Sequence, residues 1–353
     1  MKKIGILTLQ GNFNYGNRLQ NYALEQVVLS LNYDVDTLVL PEKKKIRLKK
    51  TILKLMYHFS KRKKQYLKML KAKTPILTPF TKAYLHSRQF DKANLKSYTA
   101  FFVGSDQVWN PSYTGNDTRY FLDFAPRKKR FAYAASFGVS NIPAQFHSNY
   151  RKYLNDMHKI SVREEQGINI INSLSDAKAE LIADPTLLLS QKKWNELANK
   201  VDIKFTGNYV LIYTLSSLSP DKYSKIKEYA ESKNAKIITI LGDEYNPDYW
   251  IPSPFEFLYA IKNATSVFTD SFHCTVFSII FNTPFIIFNR SNGEMISRID
   301  TLLAYFGFQR NKFSTQTNIN DVLSKTSFTG VAKVLAKEKA KGYVFIQDCL
   351  ASV

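Results

Sequence analysis

The chain has 353 residues, 44% of them hydrophobic and 14% aromatic against 22% charged, which is apolar material for two cores and excludes a disordered or fibrous chain. Lysine and arginine outnumber the acids 50 to 29, a formal net charge of +21, so the expected partner is anionic: nucleic acid, phospholipid or acidic glycan. The two cysteines, Cys274 and Cys349, have neither CxxC nor metal-ligand spacing, which excludes a disulfide scaffold and fits a reducing compartment without zinc.

The opening MKKIGILTLQGNFNYGN carries a short apolar run and no A-x-A cleavage site, so it reads as a buried strand over 3–9 and not as an export signal. Leu19, Ala23, Val27 and Leu31 recur at helical spacing and predict a helix over 16–31. A second strand follows at 33–40. Residues 43–73 then hold fourteen lysines and arginines and no acid, with apolar residues from Ile46 to Leu70 at near-helical spacing. That pattern predicts an amphipathic helix or helix pair, expected to dock on an anionic membrane surface; a solvated basic face and capture of an acidic glycan are the alternatives.

A third strand at 99–103 ends at Gly104-Ser105, and short strands at 130–136, 159–162 and 181–183 follow between helical stretches. After a polar, lysine-rich segment at 189–207, a second series begins: strand 209–213, helix 221–234, strand 235–241, a helix opening at Ser253 with Glu256 at capping-box spacing, strand 266–268, helix 272–281 and strand 284–288. Strands alternating with helices imply parallel, doubly wound sheets. The expected fold class is α/β, with two Rossmann-like domains facing a cleft: residues 1–198 with the basic insertion 43–73, and residues 199–353 with terminal helices packing back on the first domain. No run approaches the roughly 18 apolar residues of a membrane span, since the longest candidate, 275–288, is broken by Asn282 and Pro284.

Candidate site residues cluster where strands give way to helices. Gly11, Asn14, Tyr15, Gly16 and Asn17 stand between the first strand and the first helix, where free N–H groups bind anions or sugar hydroxyls, although a G-x-G-x-x-G fingerprint and a GKS or GKT are lacking. The run Gly104-Ser105-Asp106-Gln107-Val108-Trp109-Asn110 combines an acid, amides and an indole at a strand's carboxyl end, the composition of a sugar subsite. Arg163 ends a strand and could grip a carboxylate or phosphate. Ser271 and His273 fall at a helix start, where an anion is favoured, and Arg290 and Arg298 follow the next strand within reach of the same anion.

Together GNFNYGNRLQNYAL, FFVGSDQVWN, ISVRE, ADPTLLL, TDSFHCTVFSIIFNTPFIIF and SRIDTLL, in order over residues 4–303, resemble the polysaccharide pyruvyl transferases. The resemblance implies a GT-B-like fold and transfer of a carboxyethylidene group from phosphoenolpyruvate to two hydroxyls of a hexose in a cell-surface or capsular glycan. Phosphoenolpyruvate would be a co-substrate, with no further cofactor and no metal. The resemblance implies an acceptor side in the first domain (Asn14, Tyr15, Gly16, Asn17, Gln107, Trp109) and a donor side in the second (His273, Ser271, Arg290, Arg298), with Arg163 also on the donor. Arg163 would bind phosphoenolpyruvate, His273 would stand at its phosphate as a proton donor, and Asp106 is the candidate base. The glycan acceptor is expected to be lipid-linked or polymeric, and the protein cytoplasmic, peripheral on the inner membrane face. Two alternatives stand beside this: a GT-B glycosyltransferase using a nucleotide sugar, and a basic nucleic-acid-binding protein, against which no helix-turn-helix, zinc-finger or RNP pattern occurs.

Overall fold

The structure, a computed structural model, describes residues 2–41, 61–203, 205–290 and 296–353. Seven parallel strands form the first sheet in the order β3-β2-β1-β4-β5-β6-β7: β1 (Lys3–Leu7), β2 (Asp34–Val39), β3 (Ser87–Gln89), β4 (Tyr98–Asp106), β5 (Arg130–Ala135), β6 (Lys159–Val162) and β7 (Ala179–Leu181). Four parallel strands form the second in the order β11-β10-β8-β9: β8 (Tyr209–Tyr213), β9 (Lys236–Thr239), β10 (Ser266–Thr269) and β11 (Phe285–Ile287). The central strands are apolar on both faces, as parallel strands covered on each side by helices must be. Strand order reverses at β1/β4 in one sheet and at β8/β10 in the other, and these switch points are where open α/β sheets leave a crevice at their carboxyl ends.

The helices used below are α1 (Tyr15–Ser30), α2 (Lys61–Tyr84), α3 (His147–Asn155), α4 (Glu165–Leu174), α5 (Gln191–Ala198), α6 (Pro220–Ser232), α7 (Pro254–Asn263), α8 (Phe272–Phe281), α9 (Ile296–Phe306), α10 (Ile319–Lys325) and α11 (Val331–Ala351). The capping box at the start of α7 forms: Glu256 N donates to Ser253 Oγ at 3.3 Å and Ser253 N to Glu256 Oε2 at 2.6 Å. Strand β3 has no counterpart in the sequence reading. Its residues, Ser-Arg-Gln, are all exposed, and an edge strand without an apolar face leaves no periodic signal.

One core joins the two sheets. Tyr15, Leu19 and Tyr22 of α1 and Leu77 and Phe80 of α2 are buried in the same cluster as Tyr213, Phe257 and Phe277 of the second sheet and its helices. The Tyr15 ring stacks on Phe257 at 4.6 Å between centroids. On the face of the first sheet that α1 covers, Phe345, Ile346, Cys349 and Leu350 of α11 complete a cluster with Ile4, Ile6, Leu24 and Phe102.

Of the basic stretch 43–73, residues 43–60 lie outside the described residues, while 61–73 open α2, which continues through Pro75 and Pro79. Met69, Lys73, Leu77 and Phe80 form one buried face of this helix, which packs on the protein itself. No helix among the described residues is long and apolar enough to cross a membrane.

Lys73 is fully buried. Its ammonium donates to Gly242 O of the second domain at 2.8 Å and lies 5.5 Å and 5.9 Å from the ring centroids of Tyr15 and Tyr213. Burial pulls its pKa down to about 8, with Asp243 acting in the opposite sense. In the unfolded chain the group keeps its proton to about 10.4. Between those values the unfolded state binds more protons, so stability rises with pH across the window and the cost of charging Lys73 is fully present below it. Relative to Lys73→Met, the wild type is expected to gain about 3 kcal/mol between pH 8 and 10.5, measured as the difference of their denaturant-unfolding curves at each pH.

Candidate active site

The loops after β1, β4, β8 and β10 surround one cavity of about 690 Å³, at the two switch points. Asn14 starts α1 because its side chain accepts from Asn17 N at 3.0 Å. Ser271 starts α8 in the same way, accepting from Cys274 N, so both helices aim their N-termini at the cleft. Their first turns touch: a Cβ on Gly16 would overlap the His273 ring. Gly16→Ala is therefore expected to force apart the first turns of α1 and α8, displacing His273 and lowering the melting temperature; thermal unfolding beside wild type checks this.

A buried polar chain runs beneath the cavity. Arg18 Nη2 donates to Leu9 O at 2.7 Å, and its guanidinium also bonds Asn17 Oδ1. Asn17 Nδ2 donates to Asp106 Oδ2 at 3.0 Å, and Asp106 Oδ1 accepts from Arg163 Nη2 at 2.9 Å. Arg163 Nη1 reaches Asp184 Oδ2 at 2.7 Å, which also accepts from Ser105 Oγ at 3.0 Å and lies 3.5 Å from His273 Nε2. Burial would raise both carboxyls, but Arg163, His273 and Arg298 hold Asp106 below its ordinary pKa, and His273 and Arg163 hold Asp184 well below it.

This geometry corrects the expectations for five residues. Arg163 has a side chain with no exposure, spends its two terminal nitrogens on Asp106 and Asp184, and is absent from the cavity wall; it stands behind the site and grips no ligand directly. Asp106 lines the cavity, but each of its oxygens accepts from a buried partner, and Arg163, His273 and Arg298 together outweigh burial to hold its pKa below the ordinary value, which weakens it as a proton acceptor. Trp109 is fully buried, stacked on Phe121 with its indole N–H donating to Tyr120 O at 2.9 Å, so no sugar can meet its face. Tyr15 is equally buried against Phe257, and Gly16 lies under His273.

Asn14, Asn17, Gln107, Ser271, His273, Arg290 and Arg298 all line the cavity. Arg298 is 4% exposed, and burial, with Arg163 adding repulsion, pulls its pKa down to about 9. Its guanidinium and that of Arg163 lie 5.8 Å and 4.5 Å from the Phe272 ring. Arg290 Nε is 3.6 Å from Asp270 Oδ2. This cationic floor at a helix N-terminus is suited to a small dianion. The cavity lining is also aromatic, with Phe13, Tyr66, Tyr113 and Tyr120, of which Tyr113 is 59% and Tyr66 40% exposed.

The sequence profile of polysaccharide pyruvyl transferases matches residues 14–292, which include Asn14, Asn17, Asp106, Ser271, His273 and Arg290 of the cavity lining. The chain belongs to the polysaccharide pyruvyl transferase family. Among curated proteins none matches it. This pyruvyl transferase family member is similar in fold to the UDP-GlcNAc 2-epimerase of Neisseria meningitidis, at TM-score 0.52 and 11% identity over 100% of both chains. It is also similar to that of Methanocaldococcus jannaschii, at TM-score 0.51 and 13% identity over 93% of this chain and 94% of the other. At such identities the likeness shows the fold alone, a GT-B-type pair of α/β domains.

Three groups at the family member's cavity escape the sequence reading. Tyr66 sits inside the basic run that reads as a membrane helix, and Tyr113 follows the motif of 104–110 without a pattern of its own. Asp243 had a usable signal: a strand running into Gly-Asp, as β4 runs into Gly104-Ser105-Asp106.

Proposed function

We propose that the protein transfers a carboxyethylidene group from phosphoenolpyruvate to two hydroxyls of a hexose in a glycan, forming a pyruvate ketal. The observation that carries this reading is the convergence of Arg290, Arg298, His273 and the N-terminus of α8 on one cavity, whose lining also holds aromatic side chains suited to a sugar ring. The donor's carboxylate and phosphate need such cations, and protonation of its methylene carbon creates an electron-poor centre that a hydroxyl oxygen attacks. In the balanced reaction one hydroxyl proton replaces that delivered to the methylene carbon, and the other leaves with phosphate. His273, in the first turn of α8, is the proposed proton donor, and Gln107 is the proposed partner of an acceptor hydroxyl.

Isothermal titration with phosphoenolpyruvate and with a panel of nucleotide-diphosphate sugars tests the reading. Heat with phosphoenolpyruvate alone, followed by phosphate release when p-nitrophenyl hexosides are added, is the expected result. Binding of a nucleotide sugar and none of phosphoenolpyruvate would overturn it.

A further inference from the structure

Asp106, held between Asn17 and Arg163, leaves the acceptor hydroxyl without a base, and the cavity wall offers two other carboxylates, Asp117 and Asp243. Asp117 is engaged by Arg119, whose Nε and Nη2 donate to it at 2.9 Å and 2.6 Å. Asp243 is exposed to the cavity and has neither a hydrogen bond nor an ion pair among the described residues. Its lone pairs are open to a ligand.

The backbone that carries it is fixed on three sides. Leu241 N donates to Trp250 O at 2.8 Å, Gly242 O accepts from the buried Lys73, and Gly242 lies so close to Thr214 O that a Cβ there would overlap it. An acid mounted on so constrained a turn is aimed, which a base requires, since proton transfer depends first on geometry. Asp243 shares its surroundings with the acceptor wall: Tyr66 and Tyr113 both feel its charge, as does Tyr213. Lys73 and Arg290 face it as cations, and Asp270 and Glu244 as acids.

We propose that Asp243 is the base that takes the proton from the acceptor hydroxyl, with the hexose ring lying against Tyr66 and Tyr113. The step rests on the ketal-transfer reading. The hydroxyl O–H bond breaks toward the carboxylate as the oxygen bonds to the donor's central carbon, and Asp243 passes to its neutral acid. Enclosure in the cleft raises the carboxyl's pKa despite the opposing pull of Lys73 and Arg290, which brings it nearer the working range of a base. Lys73 is a positioning residue for it, holding Gly242 from the other domain.

The test is Asp243→Asn, an exposed and unpartnered substitution expected to leave the melting temperature unchanged. With phosphoenolpyruvate and a p-nitrophenyl hexoside, kcat should fall about 10²- to 10⁴-fold, while the calorimetric affinity for phosphoenolpyruvate stays within about threefold of wild type. The acidic limb of the wild-type kcat–pH profile should flatten in the variant, a change that a merely structural role would not produce. A variant with wild-type kcat, or one slowed with its acidic limb intact, overturns the assignment of Asp243 and leaves donor use standing. A wild type that binds no phosphoenolpyruvate overturns the reading beneath it and the assignment together.

Discussion

Arg163→Ala loses about 3 to 5 kcal/mol of unfolding free energy at neutral pH, the cost of leaving buried carboxylates without their cation. Asp106 and Asp184 each keep an oxygen on this guanidinium, at 2.9 Å and 2.7 Å, and the Asp184 side chain has no exposure to water. A lysine at 163 restores little, because a single ammonium cannot span two carboxylates on opposite sides of a planar fork. The pH dependence has a definite sign. The folded-state pKa values of Asp106 and Asp184 are lowered, so their stabilisation is fully present above the unfolded carboxyl value of about 3.9 and fades as pH falls through the folded values. The gap between wild type and variant in denaturant unfolding therefore narrows as the solution is acidified below about pH 4. A variant as stable as wild type at pH 7 would show that the network under the cavity contributes nothing to the fold.

The second large effect belongs to His273. His273→Gln should lower kcat for ketal formation by about 10²- to 10³-fold, the scale of a lost general acid, with the fold intact. The side chain is 7% exposed, its Nε2 faces Asp184 Oδ2 at 3.5 Å, and the ring rests on Gly16 of the other domain. Glutamine keeps a hydrogen-bonding group near Asp184 but has no proton to lend to carbon. Single-turnover measurement of phosphate release separates this from product release. An unchanged rate constant would remove His273 from the proton path.

The parts of this molecule written by periodicity were legible in the chain. Both alternating series, the capping box at Ser253 and Glu256, and the strand-to-helix loops at 11–17, 104–110 and 269–274 could all be read from residue spacing. What could not be read was depth. Arg163, Trp109 and Tyr15 have the chemistry of site residues, and only the three-dimensional packing reveals that one is enclosed between two aspartates and the other two are core. Lys73 errs the other way. Within a basic run it counts as one more surface charge, yet it is buried against two tyrosine rings, because the partner that accepts its hydrogen bond, Gly242 O, is 169 residues away in sequence. Long-range partners of this kind leave no local mark.

The helix over residues 331–351 carries a consequence for how the chain reaches this shape. Its Phe345, Ile346, Cys349 and Leu350 complete the cluster around Ile4, Ile6 and Leu24, so β1 waits for a helix that follows the whole second sheet in the chain. Until then the part of that sheet face beside α1 stays uncovered, a surface on which nascent chains aggregate. Closure of that contact is long-range and slow, and it makes the two halves of the chain a single folding unit. A fragment ending near residue 198 would carry every strand of the first sheet and still lack part of its core.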